Sequence, residues 1–383
     1  MAEAARTRLH AEHVALGARM APFGGSWMPI WYAGISEEVA ATRTSVGVFD
    51  VGHMPAFRVF GFGAFDYLQG VLTNDLGRIS EVGAAQYTLM CAEDGGIVDD
   101  VIAYHSGDLE YILVANAGNG RADREWLAAR LPEGSEPGGG NGECRPEDGA
   151  VELVDESGRT AIVAVQGPLS LEVLRELGGA DLSLPPRFHL GEGRLGGIPV
   201  LLARTGYTGE DGVEAFCHES HASALWRLLL SVPEVTPCGL GARDVLRLEM
   251  GYPLHGAEIG REVDPVTAGL GWAVSLEKGG FVGAESVARI AEEGPRRRLV
   301  GLRLAEGVPR AGYAVLHRGN EVGKVASGTF SPTLGEGIAL AYVPAELAGE
   351  GTGLQVRARR RTFAALVVRP PFVKGTSLAG SGS

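Results

Sequence analysis

From Arg296 onward the sequence carries no helical periodicity, and that break constrains the fold more than any other feature. The segments "RRLVGLRLAEG", "AVLHRGNEVGKVASGTF", "IALAYVP" and "GLQVRARRRTFAALVVRPPF" alternate short apolar runs with turn residues, and Arg318-Gly319-Asn320 is a hairpin signal. Residues 296–374 therefore read as a separate all-β domain, followed by a Gly- and Ser-rich tail, 375–383, expected to be disordered. Before the break, short strands alternate with helices, so the chain as a whole is α+β. "ISEEVAATRTSVG", with Ser36 as its N-cap, and "NGRADREWLAARL" have helical spacing. "TAIVAVQGP" reads as a buried strand, "LSLEVLREL", "HASALWRLLLSV" and "LGARDVLRLEMG" as further helices. Leu131 to Ala150, dominated by Gly, Pro and acidic residues, reads as a mobile surface loop. Residues 1–285 are accordingly expected to form one region of two interleaved α+β subdomains carrying that loop.

Within this region, "EDGGIVDDVIAYH" places two adjacent carboxylates between a glycine turn and an apolar strand. Successive strand residues face opposite sides, so Asp99 and Asp100 must diverge. One is expected to be solvated; the other, aimed at a core or cleft, needs a partner or a job.

Composition narrows the class. At 383 residues and 45% hydrophobic the chain can bury a substantial core, and 58 glycines favour turns and close backbone approach. A net charge of −13 argues against a nucleic-acid partner. Cys91, Cys144, Cys217 and Cys238 form no CxxC pair, which suggests neither zinc nor a disulfide framework and fits a reducing cytoplasm. No apolar run reaches the ~18 residues of a membrane span, and no secretory leader is evident, so no membrane association is expected. No GxSxG elbow is present, and "GLGARD" is neither a phosphate loop nor GxGxxG.

Read from their surroundings alone, several residues stay open. Tyr87 in "AAQYTLM" suits half-buried packing as well as a ligand, and Asn116 in "VANAGN" suits a cap or turn. Arg243, near a helix start, is poorly placed for the macrodipole, with an ion pair to Asp244 or Glu249 as the plain account. Trp272 between glycines suits a core or a ligand wall. Glu210 and Asp211 read as solvated turn formers, and Arg298 belongs to a charge run that is ordinarily a solvated face.

Taken in order, "MPIWYAGISEEVAATRTSVGVFDVGHMPAFRVFG", "LTNDL", "GGIVDD", "VQGP", "RTGYTGEDGVEAF", "PCGLGARDVLRLEMGYPLHGAEI" and "AGLGWAVSLEKGGFVG" resemble the aminomethyltransferase (T-protein) family of the glycine cleavage system. The resemblance runs from about Leu16 to Lys374. It implies three domains around a central folate site, the last of them barrel-like. It also implies that Asp100 is the catalytic carboxylate, positioning N5 of tetrahydrofolate and stabilising positive charge on the transferred methylene. A full proton shuttle is not expected of it, since an aspartate's ordinary pKa of ~3.9 is far from that of an ideal base at neutral pH unless burial raises it. Tyr87, Asn116, Tyr207, Glu214, Arg243, Trp272, Arg298 and Met54 match family positions at the folate, with Glu214 accepting from the pterin's donor edge. Gly52, Pro55 and Thr267 depart from the family's usual residues.

The activity so implied is transfer of a methylene from an aminomethyl group on the lipoyl arm of a carrier, the H-protein, to tetrahydrofolate. Ammonia, 5,10-methylenetetrahydrofolate and the dihydrolipoyl carrier are released; tetrahydrofolate is a co-substrate, and no metal is needed. Two alternatives use the same cleft: a tetrahydrofolate-dependent demethylase, suggested only by the three departures, and a non-catalytic folate-binding assembly factor.

Overall fold

Strands Val46–Asp50 and Thr160–Gln166 lie side by side and antiparallel, although a second complete sheet is threaded between them in the sequence. The computed structural model describes residues 4–135, 138, 150–359 and 361–375. The first sheet has six strands in the order Leu190–Leu195, Ile198–Ala203, Gly212–His218, Thr160–Gln166, Val46–Asp50 and Val235–Pro237, antiparallel except for the last pair. The inserted sheet is antiparallel throughout, with the order Ala85–Cys91, Ile97–Gly107, Glu110–Val114, Ala56–Phe60 and Glu152–Asp155.

Strand alternation sorts the side chains into layers. Val46, Val48, Val163, Val165, Val213 and Ala215 face helices Ser170–Gly178 and Ala222–Leu230. Val101, Ala103, Leu113 and Val59 face helix Ala64–Val71 on the far side of the inserted sheet. Between the two sheets Phe49, Ile162, Ala164 and Phe216 meet Tyr104, Val114 and Ala85, joined by Ala242, Val245 and Leu246 of helix Leu240–Met250.

A small sheet near the N-terminus has the order Ala5–Arg6, Ser26–Trp31 and Arg19–Phe23. The C-terminal strands close a six-stranded barrel, Arg297–Leu304, Glu336–Pro344, Asn320–Ser331, Ala314–His317, Gly353–Ala358 and Arg361–Val368. Its first hairpin pairs His317 with Asn320, and Arg318 and Gly319 take φ of 52° and 85°, the backbone a two-residue turn requires. The barrel is fastened to helix Leu240–Met250 by a cluster of Leu248, Ile338 and Leu340.

Some expectations need correction. Helix Ile35–Thr44 is preceded by Gly34, not capped by Ser36. Glu38, buried within the helix, accepts from the backbone N–H groups of Tyr32 (2.6 Å) and of Gly239 (2.8 Å), the residue that precedes helix Leu240–Met250. Glu210 and Asp211 are not solvated: Glu210 is buried against Arg43 at 2.6 Å, and Asp211 pairs with Arg204 at 2.8 Å. The loop expected at 131–150 and the tail expected at 375–383 lie for the most part outside the described residues.

Candidate active site

The alternation that builds the layers also aims the candidate residues. Asp100 shares its strand face with Ile102 and Tyr104, and Glu214 shares one with Phe216, so both carboxylates point into the space between the sheets. Tyr87 sits diagonally across the ladder from Asp100, since Leu89 is opposite Asp100 and Ile102 opposite Tyr87. The Tyr87 hydroxyl donates to Asp100 Oδ2 at 3.0 Å. From the end of the next strand, Asn116 Nδ2 donates to Asp100 Oδ1 at 2.6 Å. Burial, and next the charge of Asp99, push the Asp100 carboxyl up to about 7 against these two donors. Burial thus meets the condition under which an aspartate can exchange a proton near neutral pH.

Asp99 departs from expectation too. It faces the opposite side, as strand geometry demands, but that side is the helix-covered one and Asp99 is fully buried. Its oxygens accept from the Asn116 backbone N–H (3.0 Å), Asn116 Nδ2 (2.9 Å) and Asn119 Nδ2 (2.9 Å). Asn119 precedes helix Gly120–Ala128, which supplies a third buried carboxyl, Asp123. Asn119 also reaches His255 Nδ1 at 2.8 Å. Sequence reading passed over Asn119, Asp123 and His255; the one available signal is that Asn119 and Asp123 are four apart, hence on one helix face.

A second cluster surrounds Glu214. Thr205 Oγ1 donates to its Oε2 at 2.7 Å, Tyr104 stands behind Thr205 at 3.1 Å, and the Arg243 guanidinium lies 3.7 Å from Oε1. Arg243 thus pairs with neither Asp244 nor Glu249, which are engaged by Arg247 and Arg43 respectively. Its Nη1 is buried with no partner among the described residues. Burial lowers its hold on the proton, which the Glu214 charge opposes. The guanidinium also covers the ring of Tyr207 at 5.1 Å. Tyr207 is anchored by its hydroxyl, which donates to the Pro253 carbonyl at 2.5 Å, and by stacking on Tyr252 at 5.8 Å. Burial raises the Tyr207 phenol first, and Asp100 raises it further, so Tyr207 stands electrostatically between the two clusters.

Trp272 is 63% exposed yet stacks on Tyr87 with ring centres 5.2 Å apart, so it is not a core residue. Met54 is half-buried against the cluster joining the two sheets. Next to it His53 is held neutral, burial pushing it down to about 4. Arg298 belongs to neither cluster; it is exposed at the start of the barrel, opposite Val343. Among the described residues no group of three or more His, Cys, Asp and Glu side chains is arranged to hold a metal ion.

Comparison with known proteins identifies the family. Residues 9–278 match the GCVT N-terminal domain, and residues 297–374 match the glycine cleavage T-protein C-terminal barrel domain. An aminomethyltransferase of Symbiobacterium thermophilum is 45% identical over 378 residues, covering 96% of this chain and 97% of that one. Another, from Geobacillus kaustophilus, is 43% identical over 375 residues, covering 96% and 98%. The crystal structure of the glycine cleavage system aminomethyltransferase T from Bartonella henselae superimposes with a TM-score of 0.86 at 33% identity, covering 97% of this chain and 98% of that one. The chain belongs to the glycine cleavage T-protein family of aminomethyltransferases.

Proposed function

We propose that the Asp100 and Glu214 clusters are the two halves of one tetrahydrofolate site. The chain is an aminomethyltransferase of the glycine cleavage system, and tetrahydrofolate is its one-carbon acceptor. The observation that carries the assignment of roles is the grip on Asp100, a carboxyl directed between the sheets and fixed by Tyr87 and Asn116. In this reading Glu214, with Arg243 and Thr205 keeping it in place, accepts from the donor edge of the pterin. Tyr207, Trp272 and Met54 wall the ring, and Arg298 meets the ligand only at its outer, charged end. Residues 1–285 form the folate-binding region and 296–374 the accessory barrel.

The carrier is the lipoylated H-protein. N5 bonds to the methylene carbon as ammonia departs, N10 closes the ring on the same carbon as its bond to the lipoyl sulfur breaks, and the carrier leaves as the dithiol. The positive charge that gathers on that carbon lies beside Asp100. A preorganised carboxylate stabilises such charge without having to reorganise. Poised near neutrality, the same group can also take up or return a proton as the amines change state. The buried free thiols of Cys91, Cys217 and Cys238 support a reducing compartment, the cytoplasm.

Asp100→Asn tests the assignment. It is expected to bind tetrahydrofolate like the parent and to lose turnover with aminomethylated carrier by about 10²-fold or more. If Asp100→Asn turns over normally, Asp100 is not the reacting carboxylate.

A further inference from the structure

Three carboxyls converge behind the proposed reaction centre, and they are not supplied alike. Asp99 accepts from three N–H groups at 2.9–3.0 Å. Asp123, on helix Gly120–Ala128, is fully buried, and neither of its oxygens meets an N–H or O–H donor among the described residues. Asp123 sits one turn from Asn119, whose carbonyl accepts from the Asp123 N–H at 2.9 Å and whose side chain donates to Asp99 at 2.9 Å, and this brings the two carboxyls together. Two buried carboxyls in contact cannot both be ionised, and a pair of acceptors makes a hydrogen bond only when one carries a proton. The donorless partner, Asp123, keeps the proton.

We infer that Asp123 is a positioning residue for the transfer: as a neutral acid it donates to Asp99, which holds the Asn116 amide that orients Asp100. The relay is short. Asn116 Nδ2 contacts Asp99 Oδ1 and Asp100 Oδ1 at once, at 2.9 and 2.6 Å, so any shift of Asp99 is passed to the amide and from it to Asp100. Burial first, then the charges of Asp99 and Asp100, push the Asp123 carboxyl up to about 10, consistent with a proton retained at working pH. Two other titratable groups face this cluster among the described residues: His255, which touches it through Asn119, and Tyr87, which donates to Asp100. Removing the proton places two charges in contact in a buried site, and the cheapest relief is rotation of Asp99 away from Asn116.

The inference rests on the reading of Asp100 given above, and the experiment keeps the two separable. The infrared spectrum of the full-length protein at neutral pH is compared with that of Asp123→Asn. A carboxylic acid C=O band present in the parent and lost in the variant is expected; no band lost overturns the inference. Kinetics with aminomethylated carrier and tetrahydrofolate follow. Asp123→Asn, which preserves shape and donor, is expected to keep kcat within about threefold, whereas Asp123→Leu lowers kcat by about 10- to 100-fold with folate affinity little changed. Normal turnover in Asp123→Leu, or equal damage in both variants, overturns it. If Asp123→Leu does not fold, Asp123→Asn decides alone, a fall in kcat beyond about tenfold being the overturning result. Full activity in Asp100→Asn, by contrast, removes Asp100 from the chemistry and leaves the infrared result standing.

Discussion

At the scale of single residues, the candidate site stores unfavourable charge. Asp100 is raised from 3.8 to about 7 on folding, so its contribution favours the folded state fully only below about 4 and is lost as pH rises through the folded value. Asp100→Asn removes that dependence. Its midpoint of thermal unfolding is expected to gain on the parent by a few degrees between acid and mildly alkaline pH, measured by scanning calorimetry; a constant difference would show that burial of the carboxyl carries no such cost. Glu214 belongs to the same scale. Glu214→Gln leaves one strong acceptor where the pterin edge offers several donors, so tetrahydrofolate affinity is expected to fall by roughly 1.5–3 kcal/mol. Calorimetric titration reads it, and an unchanged Kd in a folded variant removes Glu214 from the site.

At the scale of elements, the segment bearing Trp272 is packed through Leu270 and Ala273 and clipped as well. Lys278 Nζ donates to the carbonyls of Gln69 (2.6 Å) and Asn74 (2.9 Å) and to that of Leu72, around the C-terminal end of helix Ala64–Val71. A cation there also suits the helix dipole. Lys278→Met orphans these carbonyls and is expected to cost about 1–3 kcal/mol. Faster hydrogen exchange through residues 271–275, with weaker folate binding, is the accompanying signature. Elements of this kind show how far the sequence could be read. Helices Ser170–Gly178 and Leu240–Met250 and the turn at Arg318-Gly319 were legible because their signals are local. Asp99, Glu210 and Asp123 were not: what decides whether a carboxyl is solvated is its partner, and Arg43, the partner of Glu210, stands 167 residues away. Asp100 and Glu214 were legible as candidates only through the family resemblance; that they share one layer follows from strand alternation once the two sheets are known to stack.

At the scale of the whole molecule, helix Leu240–Met250 ties the barrel to the sheets through buried charge. Arg247 bonds Glu258 at 2.9 Å, Asp244 at 2.8 Å and, inside the barrel wall, Ser327 at 2.7 Å. Breaking such a pair from one side strands the other charge. Arg247→Met is expected to cost about 3–5 kcal/mol, and Arg247→Met combined with Glu258→Met less than that, as read from denaturant midpoints. The threading of one sheet through the other bears on the chain's birth at the ribosome. Strand Val46–Asp50 has neighbours on both sides, Thr160–Gln166 and Val235–Pro237, and both are made after it. During translation the inserted sheet, complete by Asp155, can assemble while this apolar strand still has two unpaired edges, a wait on the order of 10 s before its first partner emerges. The nascent protein therefore passes through a stage in which "VGVFD" is an open template for another chain, and its yield in a cell should depend on how well that interval is chaperoned.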